Sequence, residues 1–133
     1  MIVFVDTSAL FALLDRDDDF HSAARSFFPE LATRTLVTHN YVVVETIALV
    51  QARLGLAAVR AFVDDFRPLL ETAWITEEMH RSIEASLQLD SDRRISFVDR
   101  VSFELMRRQA IRQVFAFDED FGSAGFELVP AQV

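Results

Sequence analysis

Asp6, Glu45, Asp99 and Asp118 stand far apart in the chain, yet each occupies a comparable place in its local pattern. Asp6 closes the apolar run Ile2 to Val5, and Asp118 closes the run Val114 to Phe117. Glu45 lies one to two turns into a helical stretch that follows a short strand, and Asp99 lies in the first turn of another helix. If the strands are parallel, all four positions fall at the carboxyl edge of one sheet, where open α/β sheets bind their ligands. Carboxylates sharing a cleft repel one another, and an unpaired buried charge is costly. The natural neutraliser is a hard divalent cation. The chain has no cysteine and no histidine near these positions, so all-oxygen ligation favours Mg²⁺ or Mn²⁺ over zinc. Such sites commonly work on phosphate esters, activating a water, orienting the phosphate and stabilising the leaving oxygen.

Each residue also has a plainer reading. Asp6 could cap the helix that follows it, although Thr7 and Ser8 could do so equally. Glu45 sits inside Tyr41-Val42-Val43-Val44-Glu45-Thr46-Ile47, where a solvated face is awkward, and this favours function. Asp99 fits a capping box with Ser96, which read alone makes it a cap. Asp118 and Asp120 lie in a turn, where Asp is ordinary. Convergence carries the argument. Asp15, Asp17, Asp18 and Asp19 lie past the far end of the first helix, roughly 13 Å from Asp6 at the helical rise, and fall outside the cluster. Arg93, Arg94 and Arg100 flank Asp99 and could meet neighbouring phosphates, Arg100 being the one retained as a substrate contact. His21, His39 and His80 are scattered and read as surface or packing residues. Glu77 and Glu78 suit a helix dipole. Ser8 lacks a plausible His and Asp for nucleophilic catalysis, and the three glycines form no phosphate loop.

The elements that must position these residues follow from local pattern. Strands are expected at Ile2–Val5, Thr35–Thr38, Ala73–Ile75, Val114–Phe117 and Glu127–Val129. Helices are expected from Thr7 to Asp15, from an Asp18 or Asp19 cap to Phe28, from an Asn40 cap to Leu54, from Ala57 to Leu70, from a Thr76 cap to Leu89, and from a Ser96 cap to Gln109. Asp118 to Gly125 reads as a loop. Alternation of strand and helix implies right-handed crossovers and a parallel sheet.

Composition bounds the rest. The 133 residues suit a single domain over 1–133, and an apolar fraction of 51% excludes a disordered chain. No apolar run is long enough to span a bilayer, and no secretory signal is expected. The absence of cysteine excludes disulfides and fits a cytoplasmic protein. The net charge of −8 taken alone argues against a nucleic-acid partner, but four clustered ligands would account for half of it. All 13 cations are Arg, which suits phosphate recognition, although genomic base composition is the preferred explanation.

The chain resembles the PIN-domain proteins, and most closely their VapC-type members, the toxin ribonucleases of bacterial toxin–antitoxin pairs. The resemblance rests on Val3-Phe4-Val5-Asp6-Thr7-Ser8-Ala9-Leu10, on Asp15 and His21, on Asn40 and Glu45, on Ser96-Phe97-Val98-Asp99, and on Phe117-Asp118-Glu119-Asp120-Phe121. It implies a three-layer α/β/α fold with a five-stranded parallel sheet, often in a homodimer. It implies Mg²⁺- or Mn²⁺-dependent hydrolysis of RNA phosphodiesters leaving 5′-phosphate and 3′-hydroxyl ends, and a cognate antitoxin protein as partner. Carried over by position, Asp6, Glu45, Asp99 and Asp118 are the acidic catalytic and metal-binding set, with Asp120 as an alternative to Asp118, and Ser8 is the small hydroxyl residue that supports it. Where the family often has Thr two residues before the last acid, this chain has Ala116.

Two other readings compete. A PIN-like module without catalysis would serve as a binding or scaffold protein; the intact acidic set argues against it. A phosphatase of the haloacid-dehalogenase type also places Asp after its first strand, but wants a second Asp two residues on, where this chain has Ser8.

Overall fold

A computed structural model describes residues 1–132 of the chain. Its five strands are β1 (Ile2–Val5), β2 (Thr35–His39), β3 (Glu71–Ala73), β4 (Gln113–Phe115) and β5 (Glu127–Val129). They form one sheet in the order β3-β2-β1-β4-β5, and all four pairings are parallel. The expected five-stranded parallel α/β fold is the observed one. β1 is central, and Val3, Phe4 and Val5 are buried, which is why its sequence is a continuous apolar run rather than an alternating one.

Among the described residues, seven α-helices connect the strands: α1 (Thr7–Leu14), α2 (His21–Phe27), α3 (Asn40–Leu54), α4 (Leu56–Ala61), α5 (Glu77–Leu87), α6 (Phe97–Arg108) and α7 (Glu119–Ser123). From β1 the chain steps outward through β2 to β3, then returns across the sheet to β4 and β5. Right-handed crossovers therefore put α1 to α4 on one face and α5 to α7 on the other. The reversal falls between β1 and β4. The crevice beyond their carboxyl ends is the topological switch point of the sheet.

Core packing on both faces is aromatic. Phe4, Phe62, Phe115 and Phe121 are fully buried. The Phe103 and Phe121 rings meet edge to face at 5.0 Å, joining α6 to α7. Truncating a core Phe of this kind costs about 3–5 kcal/mol. α1 is apolar nearly all round, with Ala9 to Leu13 buried, as befits a helix enclosed by its neighbours. Gly55, at φ 90°, ends α3 in a conformation that L side chains rarely adopt.

Several boundaries differ from the sequence reading, each for a traceable reason. β3 lies two residues earlier than expected, because Val37, Thr38 and His39 pair with Glu71, Thr72 and Ala73. The N–H of Ile75 goes instead to the Asn40 side chain, at 2.7 Å. That contact also removes Asn40 as the expected cap of α3; His39 caps it. β4 ends at Phe115 rather than Phe117, since the Phe117 N–H turns aside to the Ser8 hydroxyl, at 3.0 Å. Asp18 opens a turn, accepting from the Phe20 N–H at 2.9 Å, and α2 begins only at His21. The expected fourth helix is shorter. It passes into a π-helical turn over Phe62–Phe66 and a 3₁₀ turn over Arg67–Leu69, where Pro68 supplies no N–H. Asp118 caps a short helix, α7, where a loop was expected.

Candidate active site

Asp6 follows β1 directly. Its own N–H donates to the Phe115 carbonyl at 3.1 Å, carrying the β1–β4 pairing one residue past the strand. Its carboxylate oxygen Oδ2 accepts from the Ser8 N–H at 3.1 Å and from the Ser8 hydroxyl at 2.7 Å, so it is the cap of α1. Both of these bonds fall on Oδ2. Asp6 is 4% exposed. The Ser8 oxygen accepts from the Phe117 N–H while it donates to Asp6, and so ties the ends of β1 and β4 together.

Glu45 projects from the second turn of α3. The rotation of that helix is fixed by Thr46, fully buried, whose hydroxyl meets that of Thr7 at 3.2 Å. Asp99 lies in the first turn of α6, with its N–H held by the Ser96 hydroxyl at 3.1 Å. Asp118 caps α7, its Oδ1 accepting from the Asp120 N–H at 3.0 Å. Carboxylate oxygens of Asp99, Asp118 and Asp120 lie within 4.8 Å of one another. The sequence posed Asp118 and Asp120 as alternatives; both reach this cluster.

The electrostatics link the four acids singled out in the sequence. Burial, opposed by the Ser8 hydrogen bonds and reinforced by the charges of Glu45 and Asp118, pushes Asp6 from an ordinary 3.8 up to about 6. Burial and the charges of Asp6, Asp118 and Glu45 push Asp99 up to about 7. Asp118 is also raised, chiefly by burial. Carboxyls kept from ionising chiefly by burial, and further by neighbouring negative charge, are ones whose charged form a divalent cation would stabilise. A donor set made only of carboxylate oxygens, three of them this close, fits Mg²⁺ or Mn²⁺.

Arg94 and Arg100 line one cavity with Asp120. The Arg100 guanidinium is engaged by the Asp90 carboxylate and by the carbonyls of Asp92 at 2.8 Å and Ile95 at 3.3 Å, bracing the loop before α6. Arg94 pairs with Asp92 at 3.1 Å. Glu77 and Glu78 pair with Arg81 and Arg108. The His21 ring sits 2.7 Å from the Ala12 carbonyl, a packing contact near the end of α1. Sequence reasoning missed the cap of α3. A histidine at a strand end gives little local signal, and the Asn beside it is the better-known capping residue.

A fold with its switch point lined by these acids defines the class. The PIN-domain family matches residues 3–127, and the chain belongs to that family. Among its relatives is the 23S rRNA-specific endonuclease VapC20 of Mycobacterium tuberculosis, found in two strains. It is 33% identical over 126 residues, which cover 94% of this chain and 95% of that protein. The crystal structure of M. tuberculosis VapC20, described as a sarcin–ricin loop cleaving toxin, aligns with a TM-score of 0.84 and 31% identity. The alignment spans 95% of this chain and 96% of that one.

Proposed function

We propose that this chain is an endoribonuclease that hydrolyses RNA phosphodiester bonds with the help of a divalent metal, as the toxin of a toxin–antitoxin pair. The single observation that supports this best is the gathering of carboxylates at the switch point, where oxygens of Asp99, Asp118 and Asp120 lie within 4.8 Å of one another. Asp6, Glu45, Asp99 and Asp118 form the ligand set, joined by Asp120. Mg²⁺ or Mn²⁺, when bound, supplies Lewis-acid activation of water and charge neutralisation at the phosphate. The protein's part is positional. Ser8 holds one oxygen of Asp6 through both its N–H and its hydroxyl and leaves the other free of that bond. The helix caps at Ser96 and Asp118 fix the first turns from which Asp99 and Asp120 project. No side-chain nucleophile is needed.

The relative's 23S rRNA makes ribosomal RNA the first substrate to test. A cognate antitoxin protein, a homodimer and a cytoplasmic setting complete the reading. An open apolar face beside Glu45, carrying Tyr41, Val44, Phe97 and Val98, supports a protein partner. No helix among the described residues is long and apolar enough to cross a membrane.

The test is cleavage of ribosomes and of total RNA by antitoxin-free protein in Mg²⁺, in Mn²⁺ and in EDTA, beside Asp6→Asn and Asp99→Asn. Metal-dependent cutting abolished by both substitutions is the expected result. Cutting that survives EDTA points to a contaminant. Absence of both cutting and Mn²⁺ binding would replace the nuclease with a non-catalytic binding module.

A further inference from the structure

We propose that His39 is a positioning residue for the acidic site: its neutral ring, in the Nε2–H form, locks the helix bearing Glu45 to the helix bearing Asp99. The proposal rests on the metal-dependent nuclease reading above and concerns a residue outside the ligand set.

His39 is the last residue of β2 and is completely buried. Its Nδ1 faces two backbone donors, the N–H groups of Tyr41 at 3.1 Å and Val42 at 3.3 Å, both in the first turn of α3. A nitrogen that accepts from N–H groups carries no proton, so the proton of a neutral ring belongs on Nε2. Nε2 lies 2.8 Å from the Ser102 hydroxyl, which is also fully buried. Ser102 in turn donates to the Val98 carbonyl at 3.0 Å, one turn back along α6. Donor and acceptor directions therefore agree along the whole path, from α3 amides through the imidazole and the hydroxyl to the residue preceding Asp99. Burial favours the neutral ring as well, lowering its pKa to about 4.

α3 and α6 lie on opposite faces of the sheet, and among the described residues, besides the imidazole, only packing of Tyr41 on Phe97 is seen to join their first turns. Glu45 follows the His39 cap by six residues, and Asp99 sits between Val98 and Ser102. A serine or aspartate at position 39 would cap α3 but would be too short to reach Ser102. The imidazole does both with one rigid ring, wedged against Phe4 at 5.7 Å and Tyr41 at 5.8 Å between centroids. Rigidity matters because ligand sets respond to small displacements: groups behind the ligands commonly change affinity or turnover by about 10–100-fold.

The experiment has two parts. In the metal-free wild type, selective ¹⁵N labelling of the histidines reads the protonation of each ring nitrogen. His39 should show an unprotonated Nδ1 and a protonated Nε2 at pH 7, and a charged ring or an Nδ1–H form overturns the proposal. The second part compares Ser102→Ala, which leaves the cap intact, with His39→Asn, which retains a capping oxygen but withdraws from Ser102. Mn²⁺ affinity is followed by calorimetry, and kcat and KM for RNA are determined separately. Each folded variant should lose about tenfold in Mn²⁺ affinity and kcat with little change in KM, and the double variant should be no worse than either single one. Wild-type affinity and kcat in either folded single variant, or additive losses in the double, overturn it. Should wild-type protein bind no Mn²⁺, the metal reading fails by itself. His39 is then judged by its tautomer and by hydrogen exchange of the Tyr41 and Val42 amides, which should quicken in Ser102→Ala and would remain unchanged if the ring did not couple the two helices.

Discussion

Asp90 and Asp92 lie only a few residues before Asp99 in the chain, yet their carboxyls and those of the acidic cluster behave in opposite ways. In the loop before α6, Asp90 accepts from the Asp92 N–H at 2.8 Å and pairs with Arg100. Asp92 meets Arg94 through both of its oxygens, at 3.2 and 3.1 Å. Backbone and guanidinium donors hold both carboxyls below the ordinary range. A few residues away, Asp99 is pushed up to about 7, as Asp6 is to about 6. The first group receives its counter-charges from its own sequence neighbourhood and is neutral as folded. The second receives more negative charge from four separate elements. An acidic cluster that folding leaves unneutralised is one prepared for a cation from outside.

This contrast breaks most sharply under substitution. Asp99→Asn should lower RNA cleavage by at least about a hundredfold, whereas Asp92→Asn should leave the rate within about twofold, measured with the same RNA and metal. Comparable losses in both would erase the distinction between the groups.

Metal addition should separate them next. At a hundredfold excess over its Kd, Mn²⁺ should stabilise the folded chain by about 2.7 kcal/mol, read as a rise in Tm that EDTA reverses. The rise should vanish in Asp99→Asn and persist in Asp92→Asn.

A smaller effect should appear without metal. Asp6 binds its proton more tightly folded than unfolded, so between pH 3.8 and about 6 the native state holds the extra proton. Stability from this group is present below pH 3.8 and is lost as pH rises to about 6. Asp6→Asn should therefore stabilise the metal-free protein at pH 7, read in urea unfolding, while abolishing cleavage. His39 works in the other direction. Its folded pKa of about 4 lies below the ordinary 6.5, so its contribution is present above pH 6.5 and is lost as pH falls toward 4. Replacing His39 with Asn should flatten that acid limb. Asp92, partly exposed, should give the smallest change in the same titration, with a lowered carboxyl that favours folding as pH rises.

Much of the fold was legible because its signals are local. The run ending at Asp6 is a strand, since an unbroken apolar run is what a strand covered on both faces needs. Thr76 and Ser96 are caps, as their hydroxyls and the following helical patterns required. The acids were marked as lying at one sheet edge by the alternation of strand and helix alone. Boundaries slipped where a distant group took a hydrogen bond, as Ser8 did from Phe117 and Asn40 did from Ile75.

The sequence by itself determined which segments are strands and helices, that the sheet is parallel, and which acids stand at its carboxyl edge, because apolar periodicity and capping chemistry act over a few residues. Only the tertiary structure decided the strand order that puts the switch point between β1 and β4. It also decided that Asp118 and Asp120 approach Asp99 together, and that His39 rather than Asn40 caps α3. Those choices depend on burial and on partners far along the chain. The Ser102 hydroxyl that completes the His39 ring lies 63 residues away, beyond the reach of any local pattern.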